Sequence, residues 1–174
     1  MVNESRESKV DLNRLLLKPV YIGLLMNILV PVILLGIVYY LDSNGYQKNS
    51  MQTNQYNILF WAFCAVAIIE GILAFVFKQR LFFSPMIKSN ETFEEDLTNG
   101  FLTSSIVCYA FTSAIAIYGV VLFFTGGPFE TTVLFVLISM IAYQFVRPRF
   151  KFAEKVVAAQ EILVAEGRFL QPKK

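Results

Sequence analysis

The sequence predicts an all-α membrane protein, a four-transmembrane-helix bundle with N- and C-termini in the cytoplasm and a C-terminal amphipathic cytoplasmic helix. Three observations carry this prediction. Of 174 residues, 56% are hydrophobic and only 16% are charged, whereas a soluble domain carries about a quarter charged residues. Four apolar stretches have membrane length. The Lys and Arg residues cluster in three of the five segments outside those stretches.

The four predicted spans are residues 20–41, 57–77, 101–125 and 131–146. Each approaches the ~20 apolar residues that cross a bilayer as a helix. They divide the chain into an N-terminal cytoplasmic segment (1–18), a transmembrane domain (19–147) and a cytoplasmic tail (148–174).

Prolines and glycines mark the ends and bends of these spans. Lys18-Pro19 opens the first span, because a proline near the first helical position loses no hydrogen bond. Pro31 lies inside the first span and predicts a kink. Thr125-Gly126-Gly127-Pro128 predicts a tight turn, so spans three and four are expected to be antiparallel neighbours.

The basic residues predict the orientation. One loop outside the three basic segments contains a single basic residue, Lys48, and the other contains none. The basic residues lie before span one, between spans two and three, and after span four: Arg6, Lys9, Arg14 and Lys18; Lys78, Arg80 and Lys88; Arg147, Arg149, Lys151 and Lys155. Positive residues stay on the cytoplasmic side, so both termini are predicted to be cytoplasmic and the protein to be integral to the plasma (inner) membrane.

The tail after span four predicts an amphipathic helix. Phe152, Val156, Ala159 and Leu163 recur at helical spacing, and no strong helix breaker occurs before Gly167. Three placements are compatible with this pattern. The helix continues span four, lies on the anionic inner leaflet, or docks on a partner protein.

The acidic residues of the middle loop have a simple explanation. Glu91, Glu94, Glu95 and Asp96 cluster where span three is about to begin, and acidic groups are favoured near a helix N-terminus. The alternative, a cation site, lacks the Asp-x-Asp-x-Asp-Gly spacing of a calcium loop. We therefore favour a solvated helix start.

The composition argues against an enzyme. The sequence contains no His, which removes the commonest metal ligand and general base. Cys64 and Cys108 are isolated within apolar stretches and are expected to be buried free thiols. No catalytic, phosphate-binding or dinucleotide motif is present. We predict no cofactor, no metal and, at a net charge of +2, no nucleic-acid partner.

Glu70 is the only charged residue deep inside a predicted span. An intramembrane carboxylate is costly and is by default a candidate functional site. Counting from the cytoplasmic end of each helix at ~1.5 Å per residue places one polar residue of each helix at similar depth: Glu70, Asn27, Tyr109 and Ser139. In one interpretation, a protonated Glu70 donates to the others and joins the helices. In the other, Glu70 exchanges a proton or binds a cation.

Span three contains Ser113-Ala-Ile-Ala-Ile-Tyr-Gly119. This segment resembles the outer helix of the proteolipid (subunit c) of rotary ATP synthases, where an ion-carrying Glu precedes a similar Ile-Tyr-Gly. Ser113 occupies the position of that Glu and cannot carry a proton cycle. With Arg147-Pro148 after span four, the chain also resembles uncharacterised four-span bacterial membrane proteins, a resemblance that implies a family but no activity.

Two functions from different classes are compatible with these features. The first is a non-catalytic accessory or assembly subunit acting through helix–helix contacts in the lipid bilayer, with a membrane-protein partner or as a homo-oligomer. The second is an ion-coupled component, proteolipid-like or a small oligomeric carrier, using Glu70. A pore would need a polar lining, for which the sequence offers mainly the hydroxyl face of span three, Thr112 and Ser113. Such a face is also typical of helix packing.

Overall fold

A computed structural model describes residues 10–46 and 51–170, and every regular element in these ranges is helical. The predictions that concern Arg6, Lys9, Lys48 and the last four residues lie outside the described residues. The helices are α1 (Leu12–Leu24), a π-helical turn (Leu25–Leu29), α2 (Val30–Ser43), α3 (Thr53–Phe83), α4 (Phe93–Phe124), α5 (Phe129–Val146) and α6 (Phe150–Ala165).

Four helices are long and apolar enough to cross a membrane: Leu12–Ser43, Thr53–Phe83, Phe93–Phe124 and Phe129–Val146. This confirms four long apolar helices at the predicted positions, and their placement in a membrane stays a prediction. The helices extend beyond the apolar stretches, most of all at the starts of the first and the third. At the start of the first, Asp11 accepts hydrogen bonds from the backbone N–H of Asn13 and Arg14. This N-cap starts the helix before Pro19, which therefore lies inside α1 and not at its first turn as predicted.

The π-helical turn lies directly before Pro31. The Val30 N–H donates to the carbonyl of Leu25, five residues earlier instead of four. Because Pro31 has no N–H to continue the regular ladder, the helix changes its hydrogen-bond register here. The change in helix geometry expected at Pro31 is thus a local widening of the helix. Asn27 lies in the middle of this π-helical turn and is fully buried.

Helices α4 and α5 form a tight antiparallel hairpin. Their connection is the predicted Thr-Gly-Gly-Pro turn, in which Gly126 has φ 105° and the Gly127 N–H donates to the carbonyl of Leu122 at 2.9 Å. Farther along, a Cβ atom at Gly119 would lie 2.8 Å from the Cβ of Phe135. The two helices therefore approach as closely as a glycine permits.

We call the end of the bundle where α1 begins, α3 ends, α4 begins and α5 ends the N-terminal end. Here α6 folds back on the molecule and packs against α1 and α3. Its Ala153, Val156 and Val157 join a core with Leu15, Phe82, Leu97 and other residues of this end.

Helix α6 does not continue α5. Arg147 has an extended backbone (ψ 136°), as expected for the residue before a proline, and the chain changes direction at Pro148. Of the predicted apolar face, Val156 is fully buried, and Phe152, Ala159 and Leu163 are partly buried. The placement of α6 relative to a membrane stays a prediction.

Gln160 attaches α6 to the segment that follows α3. Its side-chain oxygen accepts from the Met86 N–H at 3.1 Å, and its amide nitrogen donates to the carbonyls of Phe82 at 3.2 Å and Ser84 at 2.8 Å. The fully buried Gln160 amide therefore bonds with one N–H and two carbonyls of the backbone where the chain turns after α3.

Candidate functional site between α3 and α4

Glu70 has one hydrogen-bond partner in the structure. The hydroxyl of Tyr118 on α4 donates to Glu70 Oε1 at 2.6 Å. The Tyr118 ring stacks on Phe63 of α3 with centroids 4.9 Å apart and planes 9° apart. Because Phe63 lies on α3 like Glu70 itself, one helix both positions the tyrosine ring and receives its hydrogen bond.

The second oxygen of Glu70 is buried and unpaired. Oε2 has no hydrogen-bond partner within residues 10–46 and 51–170. Lys78, the next charged residue along α3, is buried elsewhere: its ammonium donates to the carbonyl of Phe145 at 3.0 Å and to that of Arg147 at 3.4 Å. This oxygen is therefore available to a hydrogen-bond donor or a cation from outside the described residues.

Asn27, Thr112 and Ser139 form a separate chain of hydrogen bonds. The Thr112 hydroxyl donates to Asn27 Oδ1 at 2.7 Å, and the Ser139 hydroxyl donates to the Thr112 carbonyl at 2.8 Å. Asn27 Nδ2 donates to the Gly23 carbonyl at 3.4 Å. These contacts connect the π-helical turn, α4 and α5, and all three side chains are fully buried. This series of hydrogen bonds has the features of a structural contact between helices.

The predicted polar layer is therefore not one hydrogen-bonded group. Glu70 bonds with Tyr118 instead of Asn27, Tyr109 or Ser139. The prediction measured depth on span three from Gly100, but α4 begins at Phe93. Phe111 stacks on Phe77 of α3 at 5.3 Å, so Tyr109 lies near the level of Phe77, about two turns from Glu70.

Tyr109 instead pairs with Tyr143. Their ring centroids are 5.5 Å apart, both residues are fully buried, and neither hydroxyl has a hydrogen-bond partner among the described residues. Gly23 of α1 lies against both rings, since a Cβ there would be 2.8 Å from the Tyr143 hydroxyl and 2.9 Å from Tyr109 Cζ. Glycine is required at this crossing to admit the two rings.

The hydroxyl face of span three is divided. Thr112 is buried between helices, whereas Ser113 is partly exposed and donates to the Ala110 carbonyl of its own helix at 3.1 Å. Thr132 donates to the Gly119 carbonyl at 2.9 Å across the α4–α5 contact. The Thr112 and Thr132 hydroxyls thus form hydrogen bonds between packed helices and do not line a channel.

An apolar groove of about 430 Å³ lies beside the Glu70 site, between α3 and α5. Small residues from both helices form part of its wall: Ala67, Gly71 and Ala142. A Cβ at Gly71 would have no atom within 4 Å. The groove is therefore open at Gly71, the residue after Glu70, on a surface that is otherwise covered by large aliphatic side chains such as Ile68 and Ile72, both more than half exposed.

Three side chains that the sequence reasoning did not select occupy central places: Tyr118, Lys78 and Gln160. Tyr118 lies in the segment that resembles the proteolipid helix, but the depth count selected Tyr109 on span three. Lys78 resembled an ordinary flanking charge. Gln160 had one available signal, a polar residue directly beside the apolar face of a predicted amphipathic helix.

No group of three or more His, Cys, Asp or Glu side chains in the described ranges could hold a metal ion. No protein-family model matches the chain, and comparisons with curated proteins and with solved structures gave no match. The fold and the site define a helical protein with four helices able to cross a membrane and a glutamate–tyrosine pair between two of them.

Proposed function

We propose that this protein is a non-catalytic accessory or assembly subunit of the plasma (inner) membrane, with both termini cytoplasmic, that acts through helix–helix contacts. The supporting observation is the groove between α3 and α5, whose occupant would be an apolar transmembrane helix of a partner protein. Small residues at a membrane helix surface let a second backbone approach closely, which is the main source of helix association in lipid.

The chemistry of the groove favours a helix over a soluble ligand. Its walls are aliphatic and aromatic, with Ile115 at its base and Phe75 and Phe145 along its rim. The opening at Gly71 is a notch in an otherwise bulky surface. A partner helix that presents one large side chain toward Gly71 would fill this notch.

Substitution Gly71→Leu tests the proposal. A Cβ at this position has no atom within 4 Å, so we expect the larger side chain to occupy the notch, to leave the fold intact and to displace the partner. Gly36→Leu is the matched control, because Gly36 also lies in a helix with no atom within 4 Å of a Cβ but on α2. Native mass spectrometry after extraction in mild detergent measures partner stoichiometry. A Gly71→Leu protein that retains its stoichiometric partners contradicts the groove's role.

The second candidate is an ion-coupled component that uses Glu70. The observation that favours it is the buried, unpaired Oε2. Tyr118, which donates to Oε1, belongs to the segment that resembles the ATP synthase proteolipid. A site that binds a proton or Na⁺ would be a carboxyl group with one fixed donor and one free oxygen.

Carbodiimide labelling distinguishes the two candidates. An accessible, protonated Glu70 reacts with dicyclohexylcarbodiimide, and Na⁺ or raised pH slows the reaction if the carboxyl group exchanges ions. Glu70→Gln supplies the background. A Glu70 that stays unreactive at every pH from 5 to 9 contradicts the ion-coupled candidate and leaves the accessory role in place.

A further inference from the structure

A polar pocket of about 480 Å³ lies at the N-terminal end of the bundle, between α1 and the start of α4. It has charges of opposite sign on its two walls. Arg14 and Lys18, one turn apart on α1, form the basic wall. Glu91, Glu94 and Glu95, around the beginning of α4, form the acidic wall.

These five side chains form no ion pair within residues 10–46 and 51–170. Within the described ranges, the ion pairs join Lys88 to Asp96 and Arg168 to Glu166, and none crosses the pocket. Asp96 has a separate structural role, because it accepts from the Lys88 N–H and the Thr92 hydroxyl. The two walls therefore face each other across a gap and leave both signs of charge available to a bound molecule.

An open apolar face of the first helix begins beside this pocket. Leu17 and Tyr21 lie one turn from Arg14 and Lys18 and line a first section of about 410 Å³. Tyr21 and Leu24 are shared with a second section of about 380 Å³, which continues to Val32. Together the sections cover residues 13–32, about 28 Å of helix, which exceeds the length of an extended acyl chain.

We infer that this surface binds a zwitterionic phospholipid with a primary ammonium headgroup, such as phosphatidylethanolamine. The phosphate lies against Arg14 and Lys18, the ammonium against the three carboxylates, and an acyl chain along Leu17, Tyr21 and Leu24. The polar pocket lies where the apolar part of the first span begins, the level at which headgroups meet a transmembrane helix.

Charge complementarity selects this lipid from the common headgroups. An anionic lipid without an amine satisfies the basic wall but faces three carboxylates with like charge. A choline headgroup carries the positive charge but has no N–H to donate to a carboxylate, whereas a primary ammonium has three donors. Only a headgroup with a phosphate and a primary ammonium satisfies both walls.

Native mass spectrometry of the full chain tests this inference. The protein is delipidated in mild detergent and titrated with phosphatidylethanolamine, phosphatidylglycerol and phosphatidylcholine of identical acyl chains. We expect phosphatidylethanolamine to bind about tenfold more tightly than the other two, the effect of one additional charge-assisted hydrogen bond. Equal binding of the three lipids, or a preference for phosphatidylglycerol, overturns the inference.

Two double variants separate the walls. Arg14→Gln with Lys18→Gln is expected to weaken all three lipids, because each carries the phosphate. Glu94→Gln with Glu95→Gln is expected to abolish the preference for phosphatidylethanolamine and to strengthen phosphatidylglycerol. Lys151→Gln with Glu161→Gln, exposed on α6, is the matched control. Because all these side chains are exposed, folding is retained. A preference that survives the glutamate variant also overturns the inference.

Discussion

Thr132 donates its hydroxyl proton to the carbonyl oxygen of Gly119 at 2.9 Å, across the closest approach of α4 and α5. The same contact recurs seven residues later on α5 and seven residues earlier on α4, where Ser139 donates to the Thr112 carbonyl at 2.8 Å. A repeat of seven residues returns to the same face of a helix after two turns. The hairpin is therefore joined by two equivalent polar contacts on one seam, with glycine at one of them.

Gly119→Ala is expected to destabilise the hairpin by about 1–3 kcal/mol, the cost of overpacking a tight core. The new Cβ would lie 2.8 Å from Phe135 Cβ and 2.9 Å from the backbone of Thr132, and backbone atoms cannot rotate away. Gly36→Ala, where no atom is near, is the control and is expected to be neutral or stabilising. Thermal unfolding in detergent measures both. Equal midpoints for the two variants would contradict the close contact.

Tyr118 and Glu70 are expected to be energetically coupled. Removing either partner of a buried hydrogen bond leaves the other unsatisfied, at about 1–3 kcal/mol. A double-mutant cycle of Tyr118→Phe and Glu70→Leu, in which the second change removes the acceptor, should therefore give a coupling energy of about 1 kcal/mol or more. The control cycle uses Tyr40→Phe in place of Tyr118→Phe. Tyr40 is 66% exposed, and this cycle should give no coupling energy. Strict additivity in the Tyr118 cycle would show that the contact does not form.

Gln160→Leu is expected to detach α6 from the end of α3. Leu has roughly the volume of Gln, but it leaves the Met86 N–H and the carbonyls of Phe82 and Ser84 without their hydrogen-bond partner. We expect a loss of about 2 kcal/mol and faster hydrogen exchange in residues 84–92 and α6. Glu161→Leu, one residue later and exposed, is the control. Equal hydrogen-exchange rates in the two variants would show that the Gln160 amide does not attach α6 to the end of α3.

The orientation is tested by labelling single cysteines in intact cells with a membrane-impermeant maleimide. With Cys64 and Cys108 replaced by Ala, we expect label on Asn44→Cys, at the end of α2, and none on Glu154→Cys in α6. Opening the cells should expose the second site. Label on Glu154→Cys in intact cells would reverse the predicted topology.

The spans could be predicted from the sequence because their signal is local. Runs of apolar residues, Pro31 and the Gly126-Gly127 turn each determine structure within a few residues of themselves. The site depends on register between distant helices, which no local pattern contains. Tyr118 reaches Glu70 only because α3 and α4 are aligned by stacked aromatic pairs such as Phe77–Phe111. Depth measured separately on each helix carries an error of about two turns, enough to select Tyr109 instead.

The same limit applies to the tail. The apolar spacing of α6 predicted a helix with one buried face, and its alternatives differed only in what the face contacts. The structure shows that part of this face packs on the protein itself, where Gln160 forms three hydrogen bonds to groups 74 to 78 residues away in the chain. The placement of α6 relative to a membrane stays a prediction.

Lys78 has a consequence for the order in which the chain is completed. Its two carbonyl acceptors, Phe145 and Arg147, lie 67 and 69 residues later in the sequence. At about 5–20 residues per second, α3 is synthesised several seconds before the end of α5 exists. In the orientation proposed above, we expect the ammonium to hold its end of α3 on the cytoplasmic side of the bilayer during that interval. When α5 arrives, the ammonium is withdrawn from water and caps the C-terminal carbonyls of that helix. We therefore expect Lys78 to orient α3 during membrane insertion, and afterwards to join α3 to the end of α5 through its two hydrogen bonds.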